Sequence, residues 1–247
     1  MVASRLPCLA PWIAVFLALA STLEARPSKR DALPTKARNW PSVGNGLSGY
    51  SVPLSDGNSA IAVFSRSTES LPAPNGTLKF ITIGRGTQNY TCTSTSASPV
   101  LVGANAVLLD ASPLLPLLPP GQGTAVLDIL PSFVIELDFA AIEVSQIPKL
   151  GVHYFDSNGV PTFDLGNNGF LKGKGLADIP APANASAGQF DQGYGAVDWK
   201  TLADAGGSVG LNKVYRVETA GGKAQPSCAG VTAPIYIDYS ALYWFYD

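Results

Sequence analysis

The chain has 247 residues, of which 16 are basic and 18 acidic, and its formal net charge is −2. Charged residues make up only 14% of the chain, whereas 25 Gly and 20 Pro separate frequent, well-spaced apolar runs. This turn-rich composition is typical of a folded extracellular protein and excludes a low-complexity, disordered chain. The length suffices for one sizeable domain.

The first residues have the layout of a cleavable signal peptide. A single charge near the start, Arg5, precedes an uncharged run over residues 6–22, whose most apolar part, 8–20, has about 13 residues. A permanent membrane-spanning helix needs roughly 20. The pattern predicts a signal peptide over residues 1–20, cleaved after Ala20 with Ala25 as an alternative, and a mature form without a membrane anchor.

Residues 21–58 are polar and rich in Pro, Ser and Gly, and they predict a leader or propeptide followed by an irregular arm. The dibasic pair Lys29-Arg30 is either a kexin-type processing site or simply two leader charges. Without residues 1–30 the chain keeps 12 basic and 17 acidic residues, a net charge of −5. Nucleic acid is a poor partner for such a surface.

Two further features agree with a secreted, extracellular or cell-wall location. Three N-x-[ST] sequons without Pro predict N-glycosylation at Asn75, Asn89 and Asn184. Loss of Cys8 with the signal peptide leaves Cys92 and Cys228, which predict one disulfide in an oxidising compartment. Two buried free thiols are the alternative. No metal is predicted, because two separated Cys and a single His form no ligand cluster.

From residue 59 to 247 the pattern predicts one β domain. Turn signals separate β-branched and aromatic runs at residues 60–64, 78–83, 89–93, 100–109, 125–130, 133–144, 151–155, 160–165, 213–219 and 235–246. The Pro-rich stretch 114–120 is predicted to be an apolar loop. At most one short helix is expected, at 198–205. Such a series favours an all-β single-domain sandwich, with a β-barrel as the alternative.

The string GRGTQN, from Gly84 to Asn89, begins like a dinucleotide-binding fingerprint. It lacks the third glycine, since Asn89 occupies that position, and no helix pattern follows. We therefore predict no nucleotide cofactor and no NAD-dependent dehydrogenase. The two glycines are expected to serve a hairpin or a bulge.

The single histidine, His153, lies in a predicted hairpin that also contains Asp156 and Asp164. With these carboxylates, or with Asp198, it could act as a general base. The structural alternative is a histidine hydrogen-bonded inside a strand pair. The turn at Asp156 resembles the start of a calcium loop, but the later acidic ligands are absent, so a simple hairpin turn is predicted.

Aromatic residues cluster near the C-terminus. Together with Trp199 upstream, Tyr239 and Tyr243 could form a platform for a sugar ring or another flat ligand. Alternate aromatic residues of one central strand would equally fill a core. Exposure of these side chains distinguishes the two interpretations.

Several strings together resemble a family of secreted fungal and bacterial proteins catalogued as a domain of unknown function. They are GRGTQNYTC at 84–92, HYFD at 153–156 with PTFD at 161–164, VDW at 197–199, YRVETAGG at 215–222 and YSALYWFY at 239–246. The resemblance covers roughly residues 70–246 and implies this domain extent, the pairing of the two cysteines and a fungal origin. Some fungal members are labelled malate dehydrogenase, an activity that would require the dinucleotide site missing here.

Two hypotheses follow from the sequence. The first is a secreted or wall-associated binding or structural protein whose partner is a glycan or small molecule. The second is an extracellular enzyme acting on a small molecule or glycan with His153 as general base. A pocket beside His153 that also contains a carboxylate would favour the enzyme.

Overall fold

The computed structural model describes residues 47–55, 69–118, 123–143, 145, 147–231 and 234–247. The chain divides into two units, one made of 41–137 with 147–247 and the other of 1–40 with 138–146. The first contains every described strand, and the described part of the second contains one five-residue helix. The predicted signal peptide, the dibasic pair and the first predicted strand, 60–64, lie outside the described residues.

The described part of the first unit contains eight strands and one longer helix. The strands are β1 (Leu78–Thr91), β2 (Val100–Asp110), β3 (Lys149–Phe155), β4 (Pro161–Asp164), β5 (Phe170–Ile179), β6 (Trp199–Asp204), β7 (Lys213–Gly221) and β8 (Ile235–Tyr246). The helices are α1 (Gly123–Val134) in this unit and α2 (Phe139–Glu143) in the other. Short 3₁₀ turns occupy Ser112–Leu117, Gly166–Asn168 and Gln189–Asp191.

The strands form a closed antiparallel barrel in sequence order, in which β1 pairs with both β2 and β8. The all-β prediction is confirmed, and of the two architectures left open by the sequence the protein has the barrel. Closure gives β1 and β8 a neighbouring strand on each side, so the sheet has no open edge of unpaired backbone groups. The β1–β8 pairing runs from Leu78 opposite Tyr246 to Tyr90 opposite Ile235.

Inward-facing side chains fill one half of the barrel. Successive side chains of a strand point to opposite faces, so alternate residues meet inside the closed sheet. This core comprises Ala106, Leu108, Phe163, Leu165, Leu171, Leu202, Leu211, Val214, Tyr239, Ala241, Tyr243 and Phe245. It lies toward the end at which β1 begins and β8 ends.

Helix α1 packs outside the barrel against β1, β7 and β8. The sequence prediction of strands at 125–130 and 133–144 is therefore wrong. A short apolar run gives the same signal in a buried helix and in a buried strand, and here the helix covers the outer face of the barrel. Beside it, the fully buried Arg85 donates to the carbonyl oxygen of Ile135 at 3.3 Å and pairs with Asp238 at 3.0 Å.

The helix predicted at 198–205 is also wrong, because this segment contains strand β6 between β5 and β7. Trp199, Leu202 and Ala203 have helical spacing in the sequence. In the strand, however, Trp199 and Thr201 lie on the outer face and Leu202 on the inner face, and all three are buried. Burial of both faces removes the alternation that identifies a half-exposed strand.

Gly84 and Gly86 lie within β1 rather than in a hairpin or bulge, which corrects their predicted role. A Cβ on Gly84 would stand 2.4 Å from the ring of Tyr243, and one on Gly86 would stand 1.8 Å from the carbonyl oxygen of Asn105. Both glycines are required by close approach inside the sheet. The register shifts of β1 fall instead between Asn89 and Tyr90 against β2 and between Leu78 and Phe80 against β8.

A disulfide joins Cys92, just after β1, to Cys228 in the connection between β7 and β8, with a Cα–Cα distance of 5.8 Å. The predicted pairing is confirmed. The two cysteines are 136 positions apart in the sequence, and strands β2 to β7 lie between them. It fixes the loops at the end of the barrel opposite the apolar core, where the backbone N–H of Cys228 also donates to Ala97 O at 2.8 Å.

Removal of this disulfide should destabilise the barrel strongly. Loop-closure entropy for a loop of this length gives an upper value of about 4 to 5 kcal/mol. We expect the double variant Cys92→Ser/Cys228→Ser to unfold at clearly lower urea concentration than the oxidised protein, and the reduced wild-type protein to behave like the variant. Equal urea midpoints for all three forms would show that the cross-link contributes nothing.

Candidate functional site

The half of the barrel not filled by the apolar core contains a cavity of about 290 Å³ that opens at the disulfide end. It is lined by Gln88, Leu101, His153, Phe155, Gly159, Pro161, Phe163, Gly175, Lys200, Leu202, Arg216 and Tyr243. These residues come from strands all around the barrel and from the β3–β4 turn. Alternate residues of each strand point into the barrel, and they form both the core and the cavity wall. The cavity wall differs from the core in that it also contains charged and amide side chains.

His153 forms part of the cavity wall and is 5% exposed. Its ring stacks on Phe163 with centroids 4.2 Å apart, and its Nδ1 lies 2.9 Å from the carbonyl oxygen of Thr162 on the neighbouring strand. A carbonyl only accepts, so Nδ1 carries the proton and donates, and the neutral ring keeps Nε2 as an acceptor. Burial lowers the pKa of His153 to about 4. The ring is therefore neutral at ordinary pH.

Two buried tyrosines lie at the boundary between the cavity and the core. The hydroxyls of Tyr239 and Tyr243 are 2.8 Å apart, and burial raises the pKa of both. Both hydroxyls stay protonated, because ionisation would place a negative charge in the buried interior without solvation. Gln88 lies beside them, but its Nε2 forms no hydrogen bond of ordinary geometry with the described residues.

Two cations complete the cavity wall. Lys200 on β6 lies directly opposite Arg216 on β7 in the antiparallel register. The guanidinium of Arg216 donates from Nη2 to the backbone carbonyl of Asp198 at 2.8 Å. Lys200 is 3.8 Å from the carboxylate of Asp178, which is 59% exposed. None of the residues that line the cavity is a carboxylate.

The three carboxylates considered as helpers of His153 lie elsewhere. Asp156 accepts hydrogen bonds within the β3–β4 turn and pairs with Lys172 at 3.0 Å, and these contacts, led by the Val160 N–H, lower its pKa. The predicted hairpin turn is thereby confirmed.

Asp164 accepts from the backbone N–H of Gly166 at 2.9 Å. The carboxylate of Asp198 pairs with the exposed Lys223 at 3.4 Å. The structure brings none of them into the cavity wall.

The aromatic residues considered as a platform are buried. Trp199 and Tyr239 are fully inaccessible, and Tyr243 is buried but forms part of the cavity wall. They do not make an exposed flat surface for a sugar ring. Only Tyr243 stands where a bound molecule could reach it.

Sequence reasoning missed the polar wall of Gln88, Lys200 and Arg216. A weak signal was available for Arg216, because it interrupts the apolar run of β7 at an alternate position, as a residue facing a polar interior does. Lys200 gave no comparable signal, since its segment was interpreted as a helix. Only the strand register shows that the two cations face one another.

The described part of the chain contains no group of three or more His, Cys, Asp and Glu side chains that could hold a metal ion. Among the described residues, no helix has the length and hydropathy required to cross a membrane.

Comparison with protein families gives one match. The model of the family described as "Protein of unknown function (DUF3455)" matches residues 72–247. The chain belongs to this family. The DUF3455 match begins ahead of β1 and runs beyond β8, so it includes the whole barrel, the disulfide and every residue of the cavity wall.

The resemblance inferred from the sequence strings is thereby confirmed at the level of the family. The DUF3455 description assigns no activity, and nothing in the match supports the malate dehydrogenase label of some fungal members. No curated protein and no solved structure matches the chain.

The buried neutral His153 should make stability depend on pH. Its pKa is about 4 in the folded state and 6.5 in the unfolded state, so the unfolded chain binds a proton first as the pH falls. The contribution of neutral His153 to the free energy of unfolding is fully present above pH 6.5. It falls by about 3 kcal/mol as the pH is lowered to 4. We expect urea unfolding at pH 7 and pH 4 to show this loss.

The matched control is His153→Phe, which keeps a ring stacked on Phe163 but cannot titrate. The variant should lose less stability between the two pH values than the wild-type protein does, because only the contributions of other groups remain. An identical pH dependence in both proteins would contradict the assignment to His153.

Proposed function

We propose that the protein is an exported binding protein whose barrel holds a small molecule in the cavity at its open end. The observation that carries the proposal is the cavity itself, which has a mixed wall of aromatic rings and a few polar groups. Small-molecule sites are typically concave and mostly apolar, with a small number of polar groups that orient the ligand. Eight-stranded barrels are wide enough to enclose one such ligand.

The size and the wall of the cavity support this proposal further. A volume of about 290 Å³ is at the lower end of the range for small-molecule sites. The rings of His153, Phe155, Phe163 and Tyr243 supply flat apolar surface. Leu101, at the entrance, is 44% exposed and would be covered by a ligand that fills the cavity.

Export is supported by the signal-peptide pattern in the sequence and by the disulfide, since such bonds persist in oxidising compartments. The sequons differ in their surroundings. Asn75, ahead of β1, and Asn184, between β5 and β6, are exposed, whereas Asn89 lies within β1, half-buried and hydrogen-bonded to Thr87 at 2.8 Å. We infer a secreted glycoprotein, free or associated with the cell wall, whose glycans are carried by Asn75 and Asn184.

Expression of the full chain in a eukaryotic secretory host tests this part of the proposal. We expect the protein in the medium or the wall fraction, beginning after Ala20 or later, with two glycans removable by an endoglycosidase. Asn75→Gln and Asn184→Gln should each remove one glycan by mass spectrometry, and Asn89→Gln should remove none. Retention of the whole chain inside the cell, or an unglycosylated exported chain, would contradict it.

An extracellular enzyme with His153 as general base is the second candidate. It is favoured by one observation, that His153 is neutral and forms part of the cavity wall. The same burial weakens it as a base, because a pKa of about 4 lies well below the usual working range of a general base. The absence of a carboxylate among the lining residues leaves an imidazolium without a stabilising partner, so binding is the better supported function.

Gly175 offers a direct test of ligand binding. It lines the cavity, and a Cβ at this position would meet nothing within 4 Å, so a side chain fits without strain. Gly175→Phe should fill the entrance, whereas Gly175→Ala should leave it open. Ligand-observed NMR with a panel of neutral and charged ring compounds should find binders of the wild-type protein and of Gly175→Ala that fail to bind Gly175→Phe.

The neighbouring Lys174 provides the matched control, because it is exposed on the other face of β5. Lys174→Phe adds the same ring outside the cavity and should leave binding unchanged. If no compound binds the wild-type protein, or if binders are equally well retained by Gly175→Phe, the cavity is not the binding site.

A further inference from the structure

The two cationic side chains of the cavity wall come from directly opposite positions on neighbouring strands. Lys200 and Arg216 are cross-strand partners on neighbouring antiparallel strands, and both line the same cavity. Like charges directly opposite one another in a sheet are destabilising. A negative charge between or beside the two side chains would relieve this repulsion.

The protein supplies little of that charge itself. Among the described residues Arg216 makes no ion pair; its guanidinium donates to the backbone carbonyl of Asp198 and also contacts the hydroxyl of Tyr243. Lys200 has one carboxylate at 3.8 Å, Asp178, which is mostly exposed and screened by solvent. The other charged neighbours pair away from the cavity, Asp198 with Lys223 and Asp156 with Lys172.

Unsatisfied donors lie at the same place. Gln88 is 1% exposed and lies beside the hydroxyl of Tyr239, but neither its Nε2 nor the buried Nε of Arg216 forms a hydrogen bond of ordinary geometry with the described residues. A buried donor without an acceptor costs free energy that the fold must offset elsewhere. Tyr243 adds a hydroxyl that burial keeps protonated. The polar side of the cavity thus presents an excess of donors, which a ligand rich in acceptors would satisfy.

The remaining wall is aromatic. His153 stacks on Phe163, and Phe155 and Tyr243 stand at ring-centroid distances of 5.9 Å and 6.0 Å from His153. Flat rings pack against such surfaces in offset or edge-to-face arrangements. The cavity therefore combines a face for a ring with a cationic, donor-rich face.

We propose that the ligand of this cavity is a small ring-bearing oxyanion, whose anionic oxygens are bound by Arg216 and Lys200 and whose ring lies against His153 and Phe163. This assignment rests on the proposed binding function and adds the chemical class of the ligand. Carboxylates and phosphate monoesters share the required chemistry, because both present acceptor oxygens to the forked donors of a guanidinium.

Three probes of nearly equal size and different charge test the assignment. 2-Naphthoate and 2-naphthyl phosphate are anionic, and 2-naphthamide is neutral. In protein-observed NMR titrations of the full mature chain, we expect at least one anion to bind about tenfold more tightly than 2-naphthamide, as charge-assisted hydrogen bonds predict. The tighter anion identifies a carboxylate or a phosphate ligand. Added salt should weaken anion binding and leave the amide unaffected.

The variants assign the effect to residues. Arg216→Gln should remove most of the preference for the anion, Lys200→Gln should remove part of it, and neither should change the affinity for 2-naphthamide more than about twofold. Lys174→Gln, which removes a cation outside the cavity, should change nothing. Near-ultraviolet circular dichroism verifies the folding of each variant, and if Arg216→Gln does not fold, Arg216→Lys and Lys200→Gln provide the test.

The outcomes separate this inference from the proposed function. If 2-naphthamide binds as tightly as both anions and the variants bind all probes like the wild-type protein, the cavity binds small molecules but the oxyanion assignment is wrong. If none of the three probes binds, the oxyanion assignment is likewise overturned, and the proposed function is then judged by the panel of compounds tested against Gly175→Phe.

Discussion

The pairing of β1 with β8 is the constraint on which the other features depend. β8 is a C-terminal strand whose residues from Tyr239 to Tyr246 are all buried, on the inner face by the barrel core and on the outer face in part by α1. By pairing along almost its whole length with β1, it converts a meander of eight strands into a closed surface. Only a closed surface has an inside, so both the core and the cavity exist because this pair forms.

Inside the barrel, polarity changes from one end to the other. The end that contains Leu165, Leu211 and Phe245 is filled by aliphatic and aromatic side chains. Toward the disulfide end the inward positions of β1 and β7 carry the polar side chains of Gln88 and Arg216. The hydrogen-bonded hydroxyls of Tyr239 and Tyr243 mark the transition, because each tyrosine packs its ring in the core and has its polar tip beside the cavity. The apolar half supplies stability, and the polar half is available for a ligand.

Much of the fold could be predicted from short-range pattern. β-Branched and aromatic runs bounded by turn residues located β2, β3, β4, β7, β8 and the two ends of β1, whereas the middle of β1 was expected to be a hairpin or bulge and β5 was not predicted. The turn chemistry of Asp156 and Gly159 located the β3–β4 hairpin. The errors at α1 and β6 have different causes. β6 is buried on both faces and so lacks the alternation of a half-exposed strand, whereas α1 carries apolar residues such as the exposed Phe133 outside its buried face, which obscures its helical period. For the site, His153 was identified because it is the single histidine, whereas Gln88 and Lys200 have nothing unusual in their local sequence.

The sequence by itself determined the class of the fold, the family and the pairing of Cys92 with Cys228, because these follow from local propensity, from family-specific strings and from a cysteine count that leaves one partner. Tertiary structure alone decided that the sheet closes rather than splits into two layers, because closure depends on the long-range register of β1 on β8. It also decided the composition of the cavity. Arg216 and Lys200 meet there because their strands are neighbours in register, whereas Asp156, Asp164 and Asp198 are held elsewhere by their own turns and lysines.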